Sequence, residues 1–121
     1  MSRAATEALV SRLVADAPAL GRLQSKHIAD NFGEALPHVF FADITRFIEA
    51  SMSSPDVRAQ RDAGRVLADL EEAMSSQDSD VVELVSVAFL ENLEQRAPGY
   101  QRLRAALGPK LRKELSFYES R

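Results

Sequence analysis

The stretch LPHVFFADITRF, residues 36–47, holds three of the chain's six phenylalanines beside one of its two histidines, an aspartate and an arginine. Such a mixture suits either a reactive site or a core helix whose polar residues face outward. Spacing decides between them. At about 100° per residue, Leu36, Phe40, Ile44, Phe47 and Ile48 fall on one stripe, with Phe41 at its edge. His38, Thr45 and Glu49 point the other way, and Asp43 lies at the border of the stripe. Pro37 sits in the first turn, where its missing N–H costs nothing. The stretch reads as a helix with an aromatic core face, and His38 as an exposed residue.

The same spacing extends in both directions. A first helix is expected over about Ser2 to Asp16, closed by Pro18, and a second over about Leu20 to Phe32, stopped by Gly33. Beyond the opening stretch, Ser54 before Pro55 and Asp56 reads as the N-cap of a fourth helix ending near Ser75. Its apolar face is Ala59, Ala63, Val66, Leu67, Leu70 and Met74, with Arg58, Arg61, Arg65, Asp69 and Glu72 on the solvated side. Ser79 is then expected to cap DVVELVSVAFLENL, residues 80–93. That helix is apolar around most of its circumference, so it should be the central one, with Asn92 inside its apolar arc. Ala97-Pro98 opens a sixth helix with Tyr100, Leu103, Ala106 and Leu107, and Gly108-Pro109 a seventh with Leu111, Leu115 and Tyr118.

Hairpin turns of the Asn-Gly or Asp-Gly kind and sustained two-residue alternation are missing. The chain of 121 residues is therefore expected to form one all-α domain, 1–121, of about seven helices. A compact antiparallel bundle and a short HEAT-like stack of helical pairs fit the pattern equally, since no fixed period repeats.

Charge is distributed unevenly. Residues 66–95 carry eight carboxylates (Asp69, Glu71, Glu72, Asp78, Asp80, Glu83, Glu91 and Glu94) and no lysine or arginine. Residues 96–121 carry seven basic residues against two acidic ones, and the first 65 residues balance at eight of each sign. The acidic stretch cannot pair within itself, repels nucleic acid and attracts basic partners. The basic tail lacks the polar recognition helix of a nucleic-acid reader and is expected to neutralise the acidic stretch.

Catalytic chemistry finds little support. Cysteine is absent, so there is no thiol nucleophile or thiolate metal site. His27, Asp30, Glu34 and His38 are the nearest thing to a ligand set, but they lack the paired-histidine spacing of a zinc helix. A nucleophile elbow and a glycine-rich phosphate loop are also missing. No enzyme activity, cofactor or metal is expected. No apolar run approaches the roughly 20 residues of a membrane span, and Glu7 and Arg12 break up the N-terminus as a signal core, so the cytoplasm is the expected location.

Three segments carry a family resemblance: NFGEALPHVFFADITRFI (31–48), LADLEEAMSSQDSDVVELVSVAFLENL (67–93) and YQRLRAALGPKLRKEL (100–115). They resemble small all-helical bacterial proteins with an L-P-H-x-x-x-x-D-I helix, an acidic L-E-x-x turn, an S-x-x-F-L-E-N-L helix and a G-P-K-L terminus. Several such proteins resemble immunity proteins of toxin systems, including contact-dependent growth inhibition. The resemblance implies binding to a cognate toxin domain, commonly a basic nuclease, whose active site the protein covers. The residues expected to dock it are Asp78, Asp80, Glu83, Glu91 and Glu94, then Asp43 and His38 from the L-P-H segment. The alternative is a helical adaptor or regulatory domain with no toxin partner. Nucleic acid and membrane are not expected partners.

Overall fold

The computed structural model describes residues 3–33 and 36–121, with Arg3 described through its backbone only. Helices cover 78% of the structure and no strand occurs among the described residues, so the all-α expectation holds. α1 (Arg3–Asp16) and α2 (Pro18–Asp30) are joined through Ala17 alone. The expected start at Ser2 lies outside the described residues. Pro18 ends α1 and also occupies the first turn of α2, which begins two residues before the expected Leu20.

α2 ends early as well. Phe32, expected as its last residue, is 99% exposed with φ 57°. The Gly33 N–H donates to the Ile28 carbonyl at 2.8 Å, which closes the helix in a Schellman turn with Phe32 in the left-handed position. Gly33, at φ 85°, follows that position instead of filling it.

α3 (Pro37–Ser53) buries Phe40, Phe41, Ile44 and Ile48. Phe47 is only partly buried against this core, and Leu36 stands before the helix, 36% exposed. His38 is exposed. Thr45 departs from the outward reading, since it is fully buried. Its hydroxyl donates to the Phe41 carbonyl at 2.7 Å and lies 3.2 Å from the Ala88 carbonyl of a neighbouring segment. That neighbour covers the side of α3 that the sequence left to solvent.

α4 (Val57–Ala73) is capped by Asp56, not by the expected Ser54: the Asp56 carboxylate accepts the Arg58 N–H at 2.9 Å, and Ser54 holds the preceding turn by accepting the Asp56 N–H at 3.0 Å. Ala63, Val66, Leu67 and Leu70 are buried as expected, but so is Asp69.

α5 (Ser79–Glu83) is capped by Asp78, not Ser79, and runs directly into a π-helical segment, Leu84–Leu90. The single helix expected over 80–93 is therefore two geometries, and it ends at Leu90. The wider turn is marked by the Glu91 N–H, which reaches the Ser86 carbonyl at 2.9 Å. The Asn92 N–H bonds to Phe89 and not to Ala88. Side chains take up the Ala88 carbonyl instead: Thr45 from α3, and Asn92 at 2.9 Å. Asn92 thus supports the backbone at the end of an apolar helix.

α6 (Tyr100–Ala106) begins after the Ala97-Pro98 start expected for it, and α7 (Pro109–Glu119) follows Gly108. Glu71 of α4 caps α7, accepting the Lys110 and Leu111 N–H groups at 2.9 and 3.0 Å. A Cβ at Gly108 would fall 2.4 Å from the Glu71 carboxyl carbon, so only glycine admits this contact.

α3 is the central helix, packing against α1, α2, α4, α6 and the π-segment. The sequence had assigned that place to the helix beginning at residue 80. α1 also packs on α4, and α4 on α7. Such contacts across the chain make a bundle, whereas a solenoid touches only its sequence neighbours. Among the described residues no helix is long and apolar enough to cross a membrane.

Candidate functional site

The acidic stretch is built largely into the fold. Arg12 of α1 reaches Asp69 at 3.0 Å and Glu72 at 2.7 Å. Glu71 caps α7, and Glu91 pairs with Arg121 at 2.9 Å. The stretch that lacks a cation of its own therefore draws on both ends of the chain.

The expected docking residues fall into three places. Asp78, Asp80 and Glu83 all lie on α5: Asp78 caps it, its carboxylate accepting the Asp80 N–H of the first turn at 3.0 Å, and Glu83 is its last residue. Glu91 and Glu94 lie beyond the π-segment, after the helix has ended at Leu90. There Glu94 donates its N–H to the Glu49 carboxylate at 2.9 Å, and its own carboxylate accepts the Arg96 N–H. Asp43 is exposed on α3, where its charge helps to raise the pKa of Lys26 on α2, after the larger effect of the Lys26–Asp30 pair. His38 is exposed in the first turn of the same helix. The seven residues are distributed over α3, α5 and the turn that follows the π-segment. The structure keeps Asp78, Asp80 and Glu83 together.

Beside that trio lies an open pocket of about 530 Å³. Val82, Glu83, Ser86 and Val87 line one wall, and Glu114 of α7 faces them. Ser76 and Gln77 of the acidic turn border it. Ser86, 5% exposed, donates to the Glu114 carboxylate at 2.6 Å and lies 2.7 Å from the Tyr118 hydroxyl. Ser86 has one proton and gives it to a carboxylate that only accepts. The Tyr118 hydroxyl must then donate to Ser86, which makes a directed chain from Tyr118 through Ser86 to Glu114. The π-turn places Ser86 at this wall, in a run where six of seven residues are buried.

A second polar group sits between α1 and α4. Asp69 is 4% exposed, and its Oδ2 has no hydrogen-bond partner among the described residues. Burial, and then the neighbouring Asp16 carboxyl, outweigh the Arg12 guanidinium and push Asp69 up to about 7. On the exposed rim, Arg12 holds Glu72 below its ordinary range. Asp69, Ser86, Glu114 and Tyr118 were not among the expected site residues. The available signal was small: a serine inside the apolar run 81–90, and an aspartate beside Leu70 at the edge of an apolar face.

The histidines do not meet. His27 is buried, stacks on Phe40 with ring centroids 5.5 Å apart, and accepts the Leu36 N–H at 3.0 Å. It fastens the entrance of α3. Asp30 pairs with Lys26, and Glu34 lies outside the described residues. Among the described residues no three histidine or carboxylate side chains converge as metal ligands.

The fold and these sites define an all-α bundle with an acid-lined pocket. The chain belongs to a family described as a domain of unknown function (DUF7674), whose model matches residues 10–120. No curated protein and no solved structure matches it significantly.

Proposed function

We propose that this chain is a non-enzymatic binding protein of the immunity type, which covers a basic toxin domain with the acidic surface of α5. The cytoplasm is where such a protein would meet an incoming toxin. One observation carries the reading. Glu83 is exposed on a pocket wall with no hydrogen bond or ion pair among the described residues, while Asp69, Glu71, Glu72 and Glu91 are held within the fold. A nuclease must hold phosphates, so its active site tends to be basic, and an acidic cover associates quickly by steering.

The test uses the product of the gene immediately upstream, which this reading requires to be a basic, toxin-like protein. Co-expression of this chain should restore growth, and the two purified proteins should form a complex. Combining Asp78→Lys, Asp80→Lys and Glu83→Lys should slow association about ten-fold or more at low salt, with the difference shrinking as salt rises. Asp78 is the cap of α5 and Asp80 lies in its first turn, so some stability is lost too; thermal melts separate that loss from binding. A folded triple variant that associates at the parental rate would move the interface away from α5.

A further inference from the structure

We propose that the pocket beside Ser86 seats one arginine side chain presented by the protein partner. The inference rests on the binding role above and names the group that is recognised. The cavity is the primary observation, and its lining fits a guanidinium on a short apolar stem. Glu83 and Glu114 approach it from two different elements, and no lysine or arginine lines it. Lys110, near the same turn, is engaged by Ser75. Val82 and Val87 supply apolar wall for the methylenes of a long cationic side chain.

Arginine fits better than lysine for a geometric reason. Its planar fork can bond two acceptors at once, whereas an ammonium is a compact, strongly hydrated point charge. Glu114 is already oriented by the buried Ser86 hydroxyl, which is itself held by Tyr118. Part of the ordering cost is therefore met before the ligand arrives. The pocket is open, so it encloses a free amino acid poorly. A side chain held out by a protein surface has already lost most of its freedom, and this favours a protein partner over a small metabolite.

The experiment is an amide-resolved NMR titration of the full chain with N-acetyl-arginine amide, and separately with its neutral isostere, N-acetyl-citrulline amide. Arginine amide should give saturable shifts at Glu83, Ser86, Val87 and Glu114 that citrulline amide does not. Glu83→Gln alters an exposed residue outside the core and should weaken the arginine probe about two- to five-fold. Glu114→Gln keeps an acceptor for Ser86 and should do the same. Equal shifts with both probes, or shifts confined to Asp78 and Asp80, overturn the pocket assignment. The two readings fail separately. If the arginine probe binds but the upstream protein does not associate, the immunity role falls and the pocket stands. If that protein associates and Glu83→Gln leaves its affinity unchanged, the arginine anchor falls alone.

Discussion

At the α1–α4 corner, Asp69 is buried beside Asp16 under the Arg12 guanidinium; at the corner between α7 and the π-segment, Glu114 holds Ser86 and faces a pocket. Each corner joins a carboxylate to a polar group from a distant part of the chain. They differ in access to water. Asp69 is 4% exposed with one oxygen unpartnered, whereas Glu114 is half-buried at an open cavity. A closed carboxylate answers to its surroundings by changing protonation, and an open one stays available to a ligand. The first should write itself into stability, the second into binding.

Both corners are tied to α3, which packs against α1, α4 and the π-segment. Phe41 is fully buried in that helix. Phe41→Ala should cost about 3–5 kcal/mol in urea unfolding, and probes at the two corners should still report one shared transition. Two separated transitions would show that the corners belong to independently unfolding units, and the comparison would lose its common frame.

Asp69→Asn tests the closed corner through pH. The folded chain holds the Asp69 proton to about 7, while the carboxyl ordinarily releases it near 3.8. Between those values the folded state binds the extra proton, so this contribution to stability is full below about pH 4. It falls as pH rises and is gone above about 7. Asparagine keeps a neutral hydrogen-bonding group there at every pH. The melting temperature of Asp69→Asn, measured relative to the parent, should therefore climb between pH 5 and pH 8. The acid-side loss from Glu72, whose pKa is lowered, runs in the opposite sense but is present in both chains, so the difference largely removes it. A difference that stays flat across this range would mean that Asp69 is ionised throughout and Arg12 dominates.

The same contrast explains which features could be read from the sequence. Helical periodicity gave the correct fold class and the burial of Phe40, Ile44 and Ile48, because one face of α3 meets the core whatever its neighbours are. Single-helix periodicity fails where a second helix covers the other face. Thr45 and Asp69 were assigned to solvent, yet the π-segment covers one and α1 the other. The π-turn was hidden for a related reason: the groups that support the Ala88 carbonyl include Thr45, forty-three residues away. That Asp78, Asp80 and Glu83 lie on one short helix could be read because they are neighbours in the chain. The place of Glu114 could not, since only the docking of α7 brings it to Ser86.

Ser86→Ala tests the open corner and should have the smallest effect on stability. The variant removes the acceptor of the Tyr118 proton and the donor to Glu114, two hydrogen bonds of 2.7 and 2.6 Å. In a sealed interior, each group left unpaired would cost about 1–3 kcal/mol. Here Glu114 lines an open pocket and Tyr118 is half-buried, so water can replace both contacts. The net loss should be about 1 kcal/mol, read from the urea midpoint at unchanged slope. Its effect on the arginine probe should exceed its effect on stability, because a Glu114 side chain released from Ser86 must be ordered again on binding. Ser86→Thr keeps the hydroxyl at the expense of one added methyl group, and should recover most of the probe affinity if that methyl points into the cavity. A loss of 3 kcal/mol or more in Ser86→Ala, with probe binding untouched, would make this corner as closed as the one around Asp69 and assign it to stability alone.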